Sequence, residues 1–309
     1  MYLNKIDIKK LGILLIVSLI TVNFFGCSKP KEGVIAEVNG VDITKEEFNG
    51  DYQVYKKIYE RLLGEDALQQ VGQDGKTLEE TLKEDILEKL IMEKLVEKET
   101  EGMKITVTDE EIQNKLDDYA NQMGGDEKFD EFLLSNNISK DFFKENMRKE
   151  ILVDKHKENI IKDINISEED AKKFYEENKD NLILIRASHI LVSSEEEGKK
   201  ILERLKDGED FATLATLESL DSVSAAQGGD LGYFRKGQMI SEFEDAAFSL
   251  EIGETSDLIK TEVGYHIIHL EDRKETYEDL KQDIVDMLKE QEYIEKIREL
   301  RNKAKVKTI

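Results

Sequence analysis

The chain has 309 residues, a length that suggests about two domains. With 69 acidic against 45 basic residues its formal charge is −24, a surface that repels nucleic acid and anionic lipid headgroups and attracts basic or unfolded cationic polypeptides. One cysteine excludes an intramolecular disulfide, and 39% apolar residues suffice for two small cores.

Lys5, Lys9 and Lys10 lead into an apolar run from Leu11 to Phe25, shorter than the roughly 20 residues a spanning helix needs. Gly26-Cys27-Ser28-Lys29 follows, and the chain then turns polar, the pattern of an export signal with small-residue processing. The Gly-Cys junction resembles a bacterial lipobox, although Phe24 and Phe25 depart from the usual leucine and small residue before the glycine. The resemblance implies a signal peptide over residues 1–27 and lipidation of Cys27. The alternative is an uncleaved N-terminal anchor. Both leave the bulk of the chain outside the cytoplasmic membrane, lipid-anchored at the extracellular face in the first case.

Residues 28–33 read as a tether. Val34-Ile-Ala-Glu-Val-Asn-Gly-Val41 predicts a strand, a turn at Asn39-Gly40 and a returning strand. Ile43-Thr-Lys-Glu-Glu-Phe48, Val107-Thr-Asp-Glu-Glu-Ile112 and Ile166-Ser-Glu-Glu-Asp-Ala171 each set an apolar residue before Thr or Ser, with an acid three positions on. That is a capping box with a hydrophobic staple, so each marks a helix start; Thr77 with Glu80 marks another. Leu78, Leu82, Ile86, Leu90, Ile91 and Leu95 form one helical stripe, and Phe142, Phe143, Met147, Ile151 and Leu152 another. Gly72-Gln-Asp-Gly75 and Gly124-Gly125 punctuate them as loops. Residues 28–180 therefore predict a mostly α-helical region.

From Leu182 to Val192 the composition is β-rich. Helices over Ser194–Leu205 and Phe211–Leu217, a loop from Asp221 to Gly229, a strand, a short helix and strands through Val263–Glu271 complete an α+β module over residues 181–275. A helix opening at Thr276 carries Leu280, Ile284, Leu288, Ile294 and Ile297. Its apolar face needs a partner, and residues 276–309 are expected to pack on the N-terminal region, so that one domain is made from both ends of the chain.

Inside that module Arg186-Ala-Ser-His-Ile-Leu-Val192 and Val263-Gly-Tyr-His-Ile-Ile268 bracket Gly228-Gly-Asp-Leu-Gly-Tyr-Phe234, Gly237-Gln-Met239 and Phe243-Glu-Asp-Ala-Ala-Phe248. In this order the motifs closely resemble the parvulin family of peptidyl-prolyl cis–trans isomerases, over about residues 183–273. The opening Val38-Asn-Gly-Val-Asp-Ile-Thr-Lys-Glu-Glu-Phe48 resembles PrsA-type foldases, extracellular lipoproteins, and more distantly the chaperone SurA. The parvulin resemblance implies a four-stranded antiparallel sheet with helices. It also implies a proline pocket formed by Leu231, Met239 and Phe243, and a paired His189 and His266 beneath it. The pair either shapes the site or takes a direct part in bond rotation. A further family position, Cys or an acid in many parvulins, falls on Ser222 or on the adjacent Asp221.

The chemistry fits those residue types. Rotation about an X–Pro bond meets a barrier of about 18–20 kcal/mol and breaks no bond, so no metal or cofactor is required. An apolar cup for the pyrrolidine ring and neutral imidazoles, which both donate and accept, suit a twisted amide. His269, three residues from His266 on a strand, points to the opposite face, and His156 in a charged helix reads as a surface or boundary residue. The Gly-rich motif lacks the Lys-Ser/Thr ending of a phosphate loop and leads into a strand. The Ser193–Gly198 loop has no basic cluster, so no preference for phosphorylated Ser/Thr–Pro is expected. The function expected is that of an isomerase and foldase for unfolded or partly folded secreted proteins, and the resemblance to PrsA-type foldases implies homodimerisation through the helical region. The alternative is a binding-only chaperone with a vestigial isomerase site.

Overall fold

The computed structural model describes residues 31–309, so Cys27 and the signal-like segment lie outside the described residues. Two compact units divide the described residues: 31–164 with 291–309, and 165–290. The fold is α+β, with a four-stranded antiparallel sheet in one unit and a mostly helical unit built from the N- and C-terminal segments.

In the helical unit β1 (Val34–Val38) and β2 (Val41–Thr44) form a hairpin, and β1 also pairs antiparallel with β7 (Val306–Thr308) from the far end of the chain. The turn uses Asn39 and Gly40 at positive φ, the geometry that matches strand twist in a two-residue hairpin. Helices α1 (Lys45–Leu63), α2 (Leu78–Met103), α3 (Asp109–Met123), α4 (Asp126–Ser135) and α5 (Lys140–Asp163) follow. Thr44 with Glu47, Thr77 with Glu80 and Thr108 with Glu111 close complete capping boxes. Ala36, Val38 and Ile43 from the sheet meet Leu82, Ile86, Leu90 and Leu95 of α2 in one core. Phe129, Phe143 and Met147 build a second with Ile112.

His156 is not a surface residue. It is fully buried on α5, with Nε2 3.0 Å from Glu99 Oε2 and Nδ1 3.2 Å from the Tyr293 hydroxyl. Leu152, His156 and Ile160, four apart, are all buried, so the ring lies on the inward stripe despite its charged neighbours Lys155 and Lys157.

In the second unit α6 (Glu168–Leu182) precedes β3 (Leu184–Val192), α7 (Glu195–Lys206), α8 (Phe211–Glu218), the single turn α9 (Ser222–Ala225), β4 (Asp230–Phe234), α10 (Ser241–Ser249), β5 (Ile259–Thr261) and β6 (Gly264–Lys274). The sheet order is β4-β3-β6-β5. One face carries Ile190, Val192 and Ile267 against Ile201 and Leu214 of α7 and α8. The other carries Ala187, Ile268 and Leu270 against Phe243 and Ala247 of α10. Helix α11 (Tyr277–Lys303) contributes to both units. Its Leu280 and Ile284 pack with Ala171 and Leu182 of α6, so α6 belongs with the second unit although its sequence reads as a continuation of the helical region. Past Gln291, Arg301 makes a two-pronged ion pair with Glu88 of α2.

Candidate active site

The two central strands put both histidines on one face. Leu191 lies opposite His266 and His189 opposite Ile268, so alternation along β3 and β6 makes the imidazoles diagonal neighbours. Both rings are buried, nearly parallel at 19°, with centroids 5.5 Å apart and Nδ1 atoms 3.2 Å apart.

Beyond Ser188 the partner edge of β3 passes from β4 to the loop between α8 and β4. His189 donates its backbone N–H to Gly229 O, Leu220 donates to Leu191 O, and Leu191 donates to Ser219 Oγ. Gly229 permits this approach. Its φ is +87°, and a Cβ there would sit 2.5 Å from His189 O. The same hydrogen bonds deliver Asp221 to the imidazoles, with Oδ2 2.9 Å from His189 Nε2.

Of the two neighbouring candidates, Asp221 joins the network and Ser222 does not: Ser222 is exposed at the start of α9. Ser224, two residues further, is buried with Oγ 2.7 Å from Asp221 Oδ2 and 3.1 Å from His189 Nε2. At the opposite end Thr261 Oγ1 is 2.9 Å from His266 Nε2. Nothing in the motifs pointed to Ser224 or Thr261. Both are ordinary polar residues; the β5–β6 register brings in Thr261, and the loop hydrogen bonds around α9 bring in Ser224.

The proton order follows from the ends of this chain. Partial burial works to raise the Asp221 pKa, but hydrogen bonds from His189, Ser224 and the Val223 N–H outweigh it and bring the carboxyl down to about 2. Ionised, Asp221 only accepts, so His189 carries hydrogen on Nε2 toward it. Where Nδ1 of His189 is bare, His266 donates to it from Nδ1 and accepts the Thr261 hydroxyl proton at Nε2. Burial, with His189 alongside, pushes the His266 pKa down to about 4, so this ring is neutral at pH 7.

Phe243 covers the pair, edge-on to both rings at centroid distances of 5.7 and 5.3 Å. Leu231 and Met239 are half-buried and pack on the cluster that holds Phe243, Phe234 and Ile268, so each keeps a surface for a ligand. Glu244 on α10 ties the Met239 turn down by accepting the Gly237 N–H at 2.6 Å. The arrangement is an apolar patch beside a hydrogen-bonded imidazole pair, with His266 neutral and an anionic end at Asp221. His269 faces away, bonded to Thr255 Oγ1 at 2.9 Å and packed on Phe211. Among the described residues no group of three or more His, Cys, Asp or Glu side chains gathers that could hold a metal ion.

The chain is similar to known proteins over most of its length. The PPIC-type PPIase domain family matches residues 164–274, and the SurA-like N-terminal domain family matches residues 4–157. The foldase protein PrsA of Caldanaerobacter subterraneus subsp. tengcongensis is 35% identical over 272 residues, 85% of this chain and 82% of the relative. The foldase protein PrsA of Clostridium botulinum strain Langeland is 31% identical over 329 residues, 97% of each chain. The crystal structure of PrsA from Bacillus subtilis shares 32% identity over 87% of this chain and 92% of that one, with a TM-score of 0.42.

Proposed function

Because the chain belongs to the PrsA foldase family and is a peptidyl-prolyl cis–trans isomerase of the parvulin type, we propose that the patch over the imidazole pair is where the X–Pro bond turns. The pyrrolidine ring would rest on Leu231, Met239 and Phe243, with the imide over His189 and His266 and the Asp221 end of the network toward the carbonyl. Rotation takes the imide out of its planar, dipolar resonance form, and the twisted state carries less charge separation than either planar isomer. An apolar seat with the neutral His266 in its floor therefore favours the twisted state over the planar ones, the differential binding that catalysis needs. Each ~1.4 kcal/mol of such preference is worth about tenfold in rate. Ser222 has no role in this account.

The observation that carries the reading is the junction of the buried His189–His266 pair with Phe243 and Asp221. Proline-limited refolding of a model protein tests it. Met239→Ala and His266→Ala should each lower the acceleration by about tenfold or more while the fold persists. Full acceleration by both variants would remove the site from the reaction.

The helical unit is assigned the holding of unfolded secreted polypeptides, and residues 165–290 the isomerisation. Attachment at the outer face of the cytoplasmic membrane rests on the Lys-rich, apolar and Gly26-Cys27 sequence pattern; no helix among the described residues is long and apolar enough to cross a membrane. In the producing cell Cys27→Ala should move the protein from the membrane to the soluble fraction. Retention on the membrane would instead make the Leu11–Phe25 run the anchor.

A further inference from the structure

We propose that Ser224 is a positioning residue of the isomerase site, its hydroxyl locking the Asp221 carboxylate and the proton on His189 Nε2 into one arrangement. The proposal rests on the isomerase reading above and adds a residue that the motifs leave out. Ser224 is 5% exposed, and its backbone carbonyl accepts the N–H groups of Gln227 and Gly229, each at 2.8 Å, so its place is set by the loop and not by its own rotamer. A hydroxyl has one proton and two lone pairs. The Asp221 oxygen at 2.7 Å can only accept, so the proton goes there, and a lone pair of Oγ turns to His189 Nε2 at 3.1 Å. Nε2 then faces two acceptors, Asp221 Oδ2 and Ser224 Oγ, and must carry hydrogen.

Thr261 at the far end cannot impose this direction. Its hydroxyl either donates to or accepts from His266 Nε2, so it follows whichever order the Asp221 end dictates. Asp221 alone would impose it loosely, because its side chain is 30% exposed and can swing toward water. The Val223 N–H holds Oδ1 at 3.2 Å, and Ser224 is the buried contact that holds Oδ2, the oxygen facing His189, against that motion. The charged and titratable groups around Asp221 are His189 from β3 and, behind it, His266 from β6.

The test is histidine-selective ¹⁵N NMR on the full chain, which reads the tautomer of each imidazole, together with turnover of an X–Pro peptide. In wild type His189 should be the Nε2–H tautomer. Ser224→Ala should populate the Nδ1–H form and lower kcat/KM about five- to twentyfold, mainly through kcat, while Ser224→Thr, which keeps the hydroxyl, should restore most of both. The proposal is overturned if wild-type His189 is the Nδ1–H tautomer, or if Ser224→Ala leaves tautomer and kcat/KM within twofold. Should Ser224→Ala fail to fold, the wild-type tautomer and Ser224→Thr decide. A wild-type chain with no isomerase activity would sink the functional reading, and the tautomer comparison would still decide the role of Ser224.

Discussion

His266 meets no carboxylate at either ring nitrogen: one faces another imidazole, the other a threonine hydroxyl. Its folded pKa of about 4 therefore lies below the ordinary imidazole value of 6.5, and the sign of the linkage follows. Between pH 6.5 and about 4 the unfolded ring binds a proton that the folded ring refuses, so stability is full above pH 6.5 and falls as pH drops through this window. The shift corresponds to about 3 kcal/mol at most. Asp221, with its pKa brought down to about 2, loses its contribution only below pH 3.8, in a separate range. Urea titrations followed on the amides of β3 and β6 should show the loss between pH 6.5 and 4.5, and His266→Gln should flatten it. An unchanged wild-type midpoint across that window would mean that the ring is not buried neutral. Sequence made the pair itself legible, since His189 and His266 sit in recognisable strand motifs. It left Asp221 and Ser222 undecided, because a one-residue step in a loop reverses where a side chain points.

Capping explains why the helix starts could be read from sequence. Thr44, Thr77 and Thr108 each satisfy backbone donors with a residue three positions on, a local device written in four letters. Strand β7 had no such signal. Three residues, Val306 to Thr308, are too few for a period, and the strand exists only because β1 offers an edge. Likewise the partner of α6 was unreadable, since an apolar stripe says that a helix is covered but not by what. Deleting residues 304–309 tests the edge. It removes the β7 pairing with Ala36, Glu37 and Val38, the Lys305–Asn39 hydrogen bonds, and the packing of Ala304 and Val306 on the first core. The helical unit should lose about 2–3 kcal/mol, from lost apolar burial and an unpaired β1 edge. Chemical denaturation followed on α2 amides reads that loss, and turnover of a short X–Pro peptide should stay at the wild-type rate. A stability change under about 0.5 kcal/mol would mean that β7 only rests on the sheet.

At the scale of the whole chain, charge is the dominant property. Even if every one of the 45 basic residues took one acid, 24 acids would remain without a cation. Many of the chain's acids open helices, as in Asp109-Glu110-Glu111, Glu168-Glu169-Asp170 and Glu195-Glu196-Glu197, where the helix dipole stabilises them without neutralising the long-range field. A cationic, unfolded polypeptide is therefore drawn toward this protein before any contact forms, and salt weakens that attraction because the screening length falls from about 30 Å at 0.01 M to about 3 Å at 1 M. The apolar patch at Leu231, Met239 and Phe243 has no such dependence, since apolar burial is not screened. Turnover of two X–Pro peptides separates these effects. Raising salt from 0.02 to 0.5 M should lower kcat/KM about fivefold or more for a lysine-rich peptide, and change it less than about twofold for a neutral one of the same length. Equal responses from both peptides would show that the acidic excess serves solubility alone and does not gather substrate.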